Sequence, residues 1–216
     1  MTHSSELIIL ASTKIGEKTL VLHSLSPAWG RRSFICSVSR STPMALFLPL
    51  NILEGEIKEN PKSDLWRVGA LSAVHPLSGI RNSIFKNTMT LFMSEVLFRT
   101  IKDGANGDEL FEWCKKSILT LDAMDSDFSN YHLRFLLEFA GILGFSPSVE
   151  GLAPFAGKRL KELESLLQLG FAESMLLPLN GEARNEIAGI LLKYLGYHTE
   201  STINVRSLSV LRELFV

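Results

Sequence analysis

Residues 76–147 read PLSGIRNSIFKNTMTLFMSEVLFRTIKDGANGDELFEWCKKSILTLDAMDSDFSNYHLRFLLEFAGILGFSP. Within this stretch apolar side chains recur at the spacing that places them on one face of an α-helix. Three successive stripes follow that spacing: Phe85, Met89, Phe92 and Val96, then Leu110, Cys114, Ile118 and Leu121, then Leu133, Leu136, Leu137, Ala140 and Leu143. Because Phe135, Phe139 and Ile142 add apolar surface to the third segment, we expect it to lie at the centre of a helical bundle.

The first part of the chain has a shorter periodicity and predicts strands. Runs rich in Leu, Ile, Val or Phe are separated by turn-forming residues: Leu7–Ala11, Thr19–Leu25, Ser33–Val38, Leu46–Ile57 and Leu65–Val74. Five short strands with these breaks favour a small Greek-key β-barrel such as the OB-fold, although any other five-stranded sheet fits the same pattern. The sequence therefore predicts an α+β protein, with an OB-fold barrel in residues 1–77 and an α-helical bundle domain in residues 78–216.

Beyond Pro147 the helical pattern continues after one interruption. The segment Ser146–Lys158 is rich in Pro and Gly and predicts a loop. A helix is expected from Leu160 and ends at Gly170. Asn180 has the character of an N-cap for a further helix, and Ser207 for a short C-terminal helix that holds Leu208, Leu211, Leu214 and Phe215.

Composition and charge restrict the class of protein. With 216 residues, 46% hydrophobic and 21% charged, the chain has the composition of an ordinary globular protein. Its 22 basic and 23 acidic residues give a net charge of −1, which argues against a strongly basic nucleic-acid binder. Cys36 and Cys114 are the only cysteines, so a disulfide framework and a cysteine-rich zinc site are excluded. There is no signal-peptide pattern and no apolar run of membrane-spanning length, and we expect a cytoplasmic protein without a membrane partner.

No pattern in the sequence predicts catalysis, a metal site or a cofactor. Gly16-Glu17-Lys18-Thr19 resembles the end of a phosphate-binding loop, but the glycine and lysine are not adjacent and the earlier glycine is missing. The histidines are scattered, and the acidic cluster Asp122, Asp125 and Asp127 lacks the glycine and glutamate of a calcium loop. We therefore expect a protein that is not an enzyme and needs no metal; a small enzyme with an unrecognised site is the weakest alternative.

One turn of the expected barrel carries residues suited to nucleic acid. Trp29-Gly30-Arg31-Arg32 precedes the third strand, Arg40 follows that strand, and Lys14 and Lys18 lie at the neighbouring turn. Arginines beside an aromatic ring combine attraction for phosphates with a surface on which bases stack. The competing interpretation is that Trp29 covers the barrel core and the arginines are surface charge. We predict the DNA-binding residues as Arg31, Arg32, Arg40, Trp29, Lys14 and Lys18, with both interpretations open.

The helical part offers a second kind of site. A helical bundle can leave an apolar cleft, rimmed by basic residues, that takes a short apolar and acidic peptide from a partner. Arg134 is the lone basic residue of the very apolar third segment, and Lys115 and Lys116 lie on the second. We predict these three residues as the partner-peptide site.

The order of several motifs along the chain resembles one protein family. The motifs are Trp29-Gly30-Arg31 and Leu48-Pro49-Leu50 before two strands, His75-Pro76-Leu77-Ser78-Gly79-Ile80 at the junction, Leu91-Phe92-Met93-Ser94-Glu95-Val96-Leu97, Asn130-Tyr131-His132-Leu133-Arg134-Phe135 in a helix that ends at Leu143-Gly144-Phe145, and Val205–Phe215. Together they resemble RecO, a family of bacterial recombination mediators, over almost the whole chain.

The resemblance implies an OB-fold followed by a helical domain, and a non-enzymatic role in recombinational DNA repair. It implies binding of single- and double-stranded DNA, annealing of strands, contacts with RecR and with the C-terminal tail of single-stranded-DNA-binding protein, and help in loading the recombinase RecA. It also implies a cytoplasmic protein associated with the nucleoid. The alternative is an interaction adaptor that has this fold and little affinity for DNA.

The chain departs from the family in two places. Many members carry a four-cysteine zinc site in their second half, whereas no cysteine follows Cys114 here. The loop after the third strand is usually long and basic, whereas Ser39-Arg40-Ser41-Thr42-Pro43 is short and has one charge. We therefore expect a metal-free variant with modest affinity for DNA.

Overall fold

The computed structural model of the protein describes residues 2–105 and 107–214. Its contacts divide the chain into two compact units. The barrel unit contains the residues up to Ser78 together with Ile101–Leu119. The helical unit contains Gly79–Thr100 and the residues from Thr120 onward. The expected domain boundary between residues 77 and 78 stays a prediction. The segment Ile101–Leu119 belongs to the barrel unit, where the Lys115 side chain pairs with Glu6 and the Gly104 N–H donates to the Arg31 carbonyl.

The barrel unit closes five strands into a small barrel, which confirms the predicted fold class. In the described part of the chain the strands are β1 (Thr2–Lys14), β2 (Thr19–Ser26), β3 (Gly30–Ser37), β4 (Ile52–Lys58) and β5 (Trp66–Ala73). Their order around the barrel is β1-β2-β3-β5-β4, with β3 and β5 parallel and the other neighbouring pairs antiparallel. Alternate residues of each strand point inward and form one buried core, with members such as Leu7, Leu22, Phe34, Leu53 and Ile57.

The expected fourth strand, Leu46–Ile57, is wrong in its first half. A 3-10 turn occupies Met44–Phe47, and the strand begins only at Ile52. Asn51 fastens this turn, because its side-chain amide donates hydrogen bonds to the carbonyls of Ala45 and Leu46 at 2.7 and 2.9 Å. The apolar residues of this segment pack into the protein interior instead of pairing as a strand, since Phe47 and Leu50 are buried.

The helices follow the predicted stripes closely. They are α1 (Ser78–Arg81), α2 (Ile84–Thr100), α3 (Asp108–Ala123), α4 (Tyr131–Ile142), α5 (Val149–Ala156), α6 (Leu160–Gln168), α7 (Phe171–Leu176), α8 (Gly181–His198) and α9 (Ser207–Leu214). The third stripe lies on α4, where Leu133, Phe135, Leu136 and Phe139 are all buried. In the helical unit α4 packs against α8, and α2 packs against α9.

One detail of the expected helices is corrected. Phe85 stands at the first turn of α2 with 40% of its surface exposed, so it does not share the buried stripe of Met89, Phe92 and Val96. Phe215, which the pattern assigned to the last helix, lies outside the described residues. The N-cap at Asn180 is confirmed, since its side-chain oxygen accepts a hydrogen bond from the Ala183 N–H at 2.8 Å.

The loop expected at Ser146–Lys158 is wrong, because the helix α5 occupies most of it. Ser148 caps this helix by accepting a hydrogen bond from the Gly151 N–H at 3.1 Å, and Leu152 and Ala156 are buried. Pro154 lies inside the helix, and in so short an element it forgoes a single backbone bond. The sequence also missed α7, whose start is fixed by the Glu173 carboxylate accepting from the Gly170 N–H at 2.8 Å.

Candidate nucleic-acid interface

The start of β3 is held in place by a close approach of two backbones. Gly30 has φ +60°, and a side chain there would put a Cβ 1.7 Å from the carbonyl oxygen of Ala105. The Gly104 N–H donates to the Arg31 carbonyl at 3.0 Å. Since only glycine fits this contact, the sequence Trp29-Gly30-Arg31 fixes the turn that follows α2 against the first residues of β3.

Arg31 is bonded on two sides within the barrel unit. Its Nε lies 3.1 Å from the Asp103 carboxylate, and Nη1 donates to the carbonyl of Ile101. The Arg31 side chain is 17% exposed, whereas that of Asp103 is 73% exposed. The guanidinium is therefore largely covered, while its carboxylate partner stands in solvent.

Arg32 lies across the ring of Trp66. Its guanidinium carbon is 4.0 Å from the ring centroid, and Nη1 donates to the Asp64 carbonyl at 3.4 Å. Trp66 in turn meets Trp29 edge to face, with ring centroids 5.6 Å apart. An arginine lying flat on an indole is a cation–π arrangement that holds the charged group at a defined place.

Trp66 is a residue that the sequence analysis missed. It opens β5, and β3 and β5 run parallel with Phe34 opposite Trp66, which places Trp66 beside the middle of β3, two residues along from Arg32. Trp66 follows the turn at Asn60-Pro61, and an aromatic residue at the start of a strand could have marked it as a candidate. Nothing in the sequence, however, revealed that β5 would lie beside β3. Trp29 and Trp66 are both partly buried and pack against the barrel core, which is the contact expected if Trp29 has the structural role.

A cleft of about 380 Å³ opens beside these residues, a volume within reach of a small ligand group. It lies in the barrel unit and is lined by Arg31, Arg32, Ser33, Asp64, Leu65, Asp103 and Gly104. We call it the arginine cleft. Two arginines face two aspartates in it, so its formal charges balance.

A polar ladder runs across the outside of β1, β2 and β3 next to the arginine cleft. Nδ1 of His23 lies 2.8 Å from the Ser33 hydroxyl, and Nε2 lies 3.4 Å from the Thr13 hydroxyl. Burial lowers the pKa of His23, the positive charge of Arg31 lowers it further, and the carboxylate of Asp103 opposes both effects. His23 is therefore held in its neutral form beside the cleft at neutral pH.

The structure separates the six predicted DNA-binding residues into two sets. Arg31, Arg32 and Trp29 lie at the start of β3, whereas Lys14, Lys18 and Arg40 lie at its far end. There the Val38 N–H donates to the Lys18 carbonyl at 3.0 Å, and Lys14, Lys18 and Arg40 are exposed. From Gly30 to Ser37 the strand rises about 23 Å at its usual rise per residue. We call the second set the hairpin-end cations.

The predicted partner-peptide residues do not form one cluster within a unit. Lys115 belongs to the barrel unit and pairs with Glu6 at 2.5 Å, and Lys116 next to it is exposed. Arg134 belongs to the helical unit, where its Nε donates to Glu138 at 2.7 Å and Nη1 donates to the Leu169 carbonyl at 3.2 Å. Lys115 and Arg134 are therefore both engaged in bonds inside the protein.

The described residues lack two kinds of feature. No group of three or more His, Cys, Asp or Glu side chains there is placed to hold a metal ion. Within the same residues no helix has the length and apolar character needed to cross a membrane. Cys36 and Cys114 are both free and buried.

Comparison with known proteins identifies the relatives of this chain. Residues 81–151 match the family described as Recombination protein O C terminal. The chain is 28% identical to the DNA repair protein RecO of Phocaeicola vulgatus over 96% of this chain and 97% of that protein. It is 29% identical to the DNA repair protein RecO of Flavobacterium psychrophilum, with both chains covered completely. It is 27% identical to the DNA repair protein RecO of Bacteroides fragilis over 96% of this chain and 97% of that protein. The predicted resemblance is thereby confirmed.

Proposed function

We propose that this chain, which matches the RecO family model over residues 81–151 and is similar to RecO proteins over nearly its whole length, is a non-enzymatic mediator of DNA repair and recombination. Its relatives carry the name DNA repair protein. In this proposal the barrel unit binds DNA at the arginine cleft, and the helical unit engages protein partners. The protein acts in the cytoplasm, at the nucleoid.

The observation that carries the DNA-binding part is the arrangement of Arg32, Trp66 and Arg31. Arg32 is held flat on Trp66 at 4.0 Å, and Arg31 lies beside it along β3 at the mouth of a cleft. Guanidinium groups attract phosphates and bond them through paired N–H donors, and a flat guanidinium also offers a face on which a base can stack. Such a site suits a flexible single strand, whose phosphates and bases are both accessible.

The finer activities of the proposal come from the family resemblance. They are binding of single- and double-stranded DNA, annealing of complementary strands, contact with RecR, contact with the C-terminal tail of single-stranded-DNA-binding protein, and help in loading the recombinase. None of them requires bond cleavage by the protein, which agrees with the lack of any catalytic motif in the sequence.

The DNA site is tested by fluorescence anisotropy with labelled single- and double-stranded DNA at low salt. Arg31→Ala/Arg32→Ala is compared with Lys14→Ala/Lys18→Ala/Arg40→Ala, since the two sets lie at opposite ends of β3. We expect the first variant to bind about tenfold more weakly or worse, equally for all sequences, because phosphate contacts carry no base information. A larger loss in the second variant would move the interface to the hairpin-end cations.

The adaptor function is the second candidate, and the balanced charge of the arginine cleft favours it. Arg31 already faces Asp103, the protein carries a net charge of −1, and the segment Ser39–Pro43 has one basic residue. An adaptor would capture purified RecR but would bind neither single-stranded nor double-stranded DNA, even at low salt. Measurable binding of single-stranded DNA by the wild-type protein rejects this candidate.

The partner-peptide site keeps Arg134 as its first residue, with Lys115 and Lys116 in reserve. The terminal carboxylate of an acidic and apolar tail peptide would compete with Glu138 for the Arg134 guanidinium. Titration of the peptide against wild type, Arg134→Ala and Lys116→Ala compares the first candidate with a reserve residue that lies exposed in the barrel unit. Unchanged affinity in Arg134→Ala removes Arg134 from the site.

A further inference from the structure

Asp103 occupies the position in the arginine cleft that a DNA phosphate would need. Its carboxylate oxygen lies 3.1 Å from Nε of Arg31, whose side chain is 17% exposed. Because Nη1 of Arg31 is directed at the Ile101 carbonyl, the Asp103 side of the guanidinium is a principal approach for an anion. A phosphate oxygen and a carboxylate oxygen bond to the same N–H donors, and they exclude each other there.

The position of Asp103 is built into the backbone around it. The next residue, Gly104, has φ +73°, which lets the chain turn sharply, and its N–H donates to the Arg31 carbonyl at 3.0 Å. The turn that bears Asp103 is thus tied to the same residue whose side chain the carboxylate pairs with. The backbone therefore holds Asp103 next to Arg31 in the folded barrel.

The pair is nevertheless open to exchange. Asp103 keeps 73% of its side-chain surface in water, and an ion pair with so exposed a member is weak because solvent screens it. The carboxylate can therefore swing away without being buried elsewhere. Once displaced, it stays close to the bound phosphate and repels it.

We infer that Asp103 is an internal competitor for the phosphate in the arginine cleft, and that it sets the DNA affinity of the protein below what Arg31 and Arg32 would give alone. The inference rests on the proposed function of this cleft. A strand that is held against such a competitor is released readily, which suits a protein that passes DNA to a partner.

The test compares Asp103→Asn with Asp64→Asn by anisotropy on single-stranded DNA over a range of salt. Both replacements remove one negative charge from the lining of the same cleft, but Asp64 contributes its backbone carbonyl to Arg32 and has no ion pair with Arg31 among those the structure gives. Asparagine keeps the shape of the side chain and removes its charge.

We expect Asp103→Asn to bind DNA about two- to fivefold more tightly, the range that loss of an exposed ion-pair competitor gives. The salt slope should stay that of wild type, because Arg31 contacts the phosphate in both proteins once Asp103 is displaced. Asp64→Asn should give a smaller gain and an unchanged slope. In an Arg31→Ala background the Asp103→Asn gain should disappear.

The outcomes separate a failure of this inference from a failure of the proposed function. If wild type binds DNA and loses affinity in Arg31→Ala/Arg32→Ala, but Asp103→Asn gains no more than Asp64→Asn, the proposed function stands and the competitor does not. If wild type binds no DNA and Asp103→Asn binds it, the competitor stands and the DNA-binding role of the wild-type protein falls. If neither binds, both are rejected.

Discussion

The carboxylate of Glu95 on α2 accepts hydrogen bonds from both the backbone N–H and the hydroxyl of Ser207, at 2.9 and 2.7 Å. Ser207 is the first residue of α9, so a side chain far away in sequence satisfies the start of the last helix. The sequence assigned the capping role to the Ser207 hydroxyl itself. In the structure that hydroxyl donates to Glu95, and the acceptor at the helix start is the carboxylate.

Replacement of Glu95 should loosen α9 from α2. Glu95→Gln keeps the size of the side chain but removes the charge that accepts both bonds and that pairs with Arg99. Loss of such a cap costs about 1–2 kcal/mol of the free energy of unfolding. Urea denaturation followed by circular dichroism measures it, with Glu112→Gln on the exposed face of α3 as the control. Equal midpoints for the two variants would show that the cap is unimportant.

The same contact has a pH dependence with a definite sign. Burial by itself raises the pKa of Glu95, but the hydrogen bonds from Ser207, Arg206 and Arg99 outweigh it and hold the pKa below the ordinary value of 4.5. The folded protein therefore binds this proton less readily than the unfolded chain. The stabilisation is complete above pH 4.5 and is lost as the pH falls through the lowered pKa. The stability difference between wild type and Glu95→Gln should shrink over that interval, and a difference that grows on acidification would contradict the contact.

His132 should make the protein less stable below pH 6.5. It is buried on α4 with its ring edge to face with Phe92 at 5.9 Å. Burial and then the charge of Arg184 lower its pKa from 6.5 to about 3, against a weaker raising effect of the Ser129 backbone bond. The unfolded chain takes up the proton first, so the free energy of unfolding falls by up to about 1.4 kcal/mol per pH unit as the pH drops below 6.5. In His132→Phe the fall between pH 6.5 and 5 should be distinctly shallower; an equal slope in the two proteins would refute this.

Gly30 and Gly16 provide a matched pair of replacements by alanine. Both glycines have positive φ, at +60° and +70°, so alanine at either position carries the same conformational cost of about 1 kcal/mol. At Gly16 a Cβ meets nothing within 4 Å, whereas at Gly30 it would lie 1.7 Å from the Ala105 carbonyl oxygen. We expect Gly16→Ala to fold with a slightly lower melting temperature and Gly30→Ala to lose several times more stability and to weaken DNA binding. Similar melting temperatures would mean that the turn at Ala105 does not rest against β3.

The sequence predicted the barrel and most helices because their apolar periodicities are strong. It failed at α5, where Pro154 and Gly151 resemble a loop, and where only burial of Leu152 and Ala156 reveals the helix. At the candidate interface it proposed Arg31 and Arg32 but not Trp66, because the parallel pairing of β3 with β5 joins residues distant in sequence. Composition and spacing do not predict the ion pair between Arg31 and Asp103, which depends on the path of the turn after α2. They also do not predict the separation of Arg40 from Arg31, which depends on the direction of β3.

The central claim is that the arginine cleft holds the phosphates of a single strand, and the salt dependence of DNA affinity tests it most directly. The slope of log affinity against log salt measures the number of phosphates contacted, at about 0.7 for each on single strands. We predict that the slope of Arg31→Ala/Arg32→Ala is shallower than that of wild type by about 1.4, the value for two lost contacts. An identical slope in the two proteins would place the phosphates elsewhere and contradict the account.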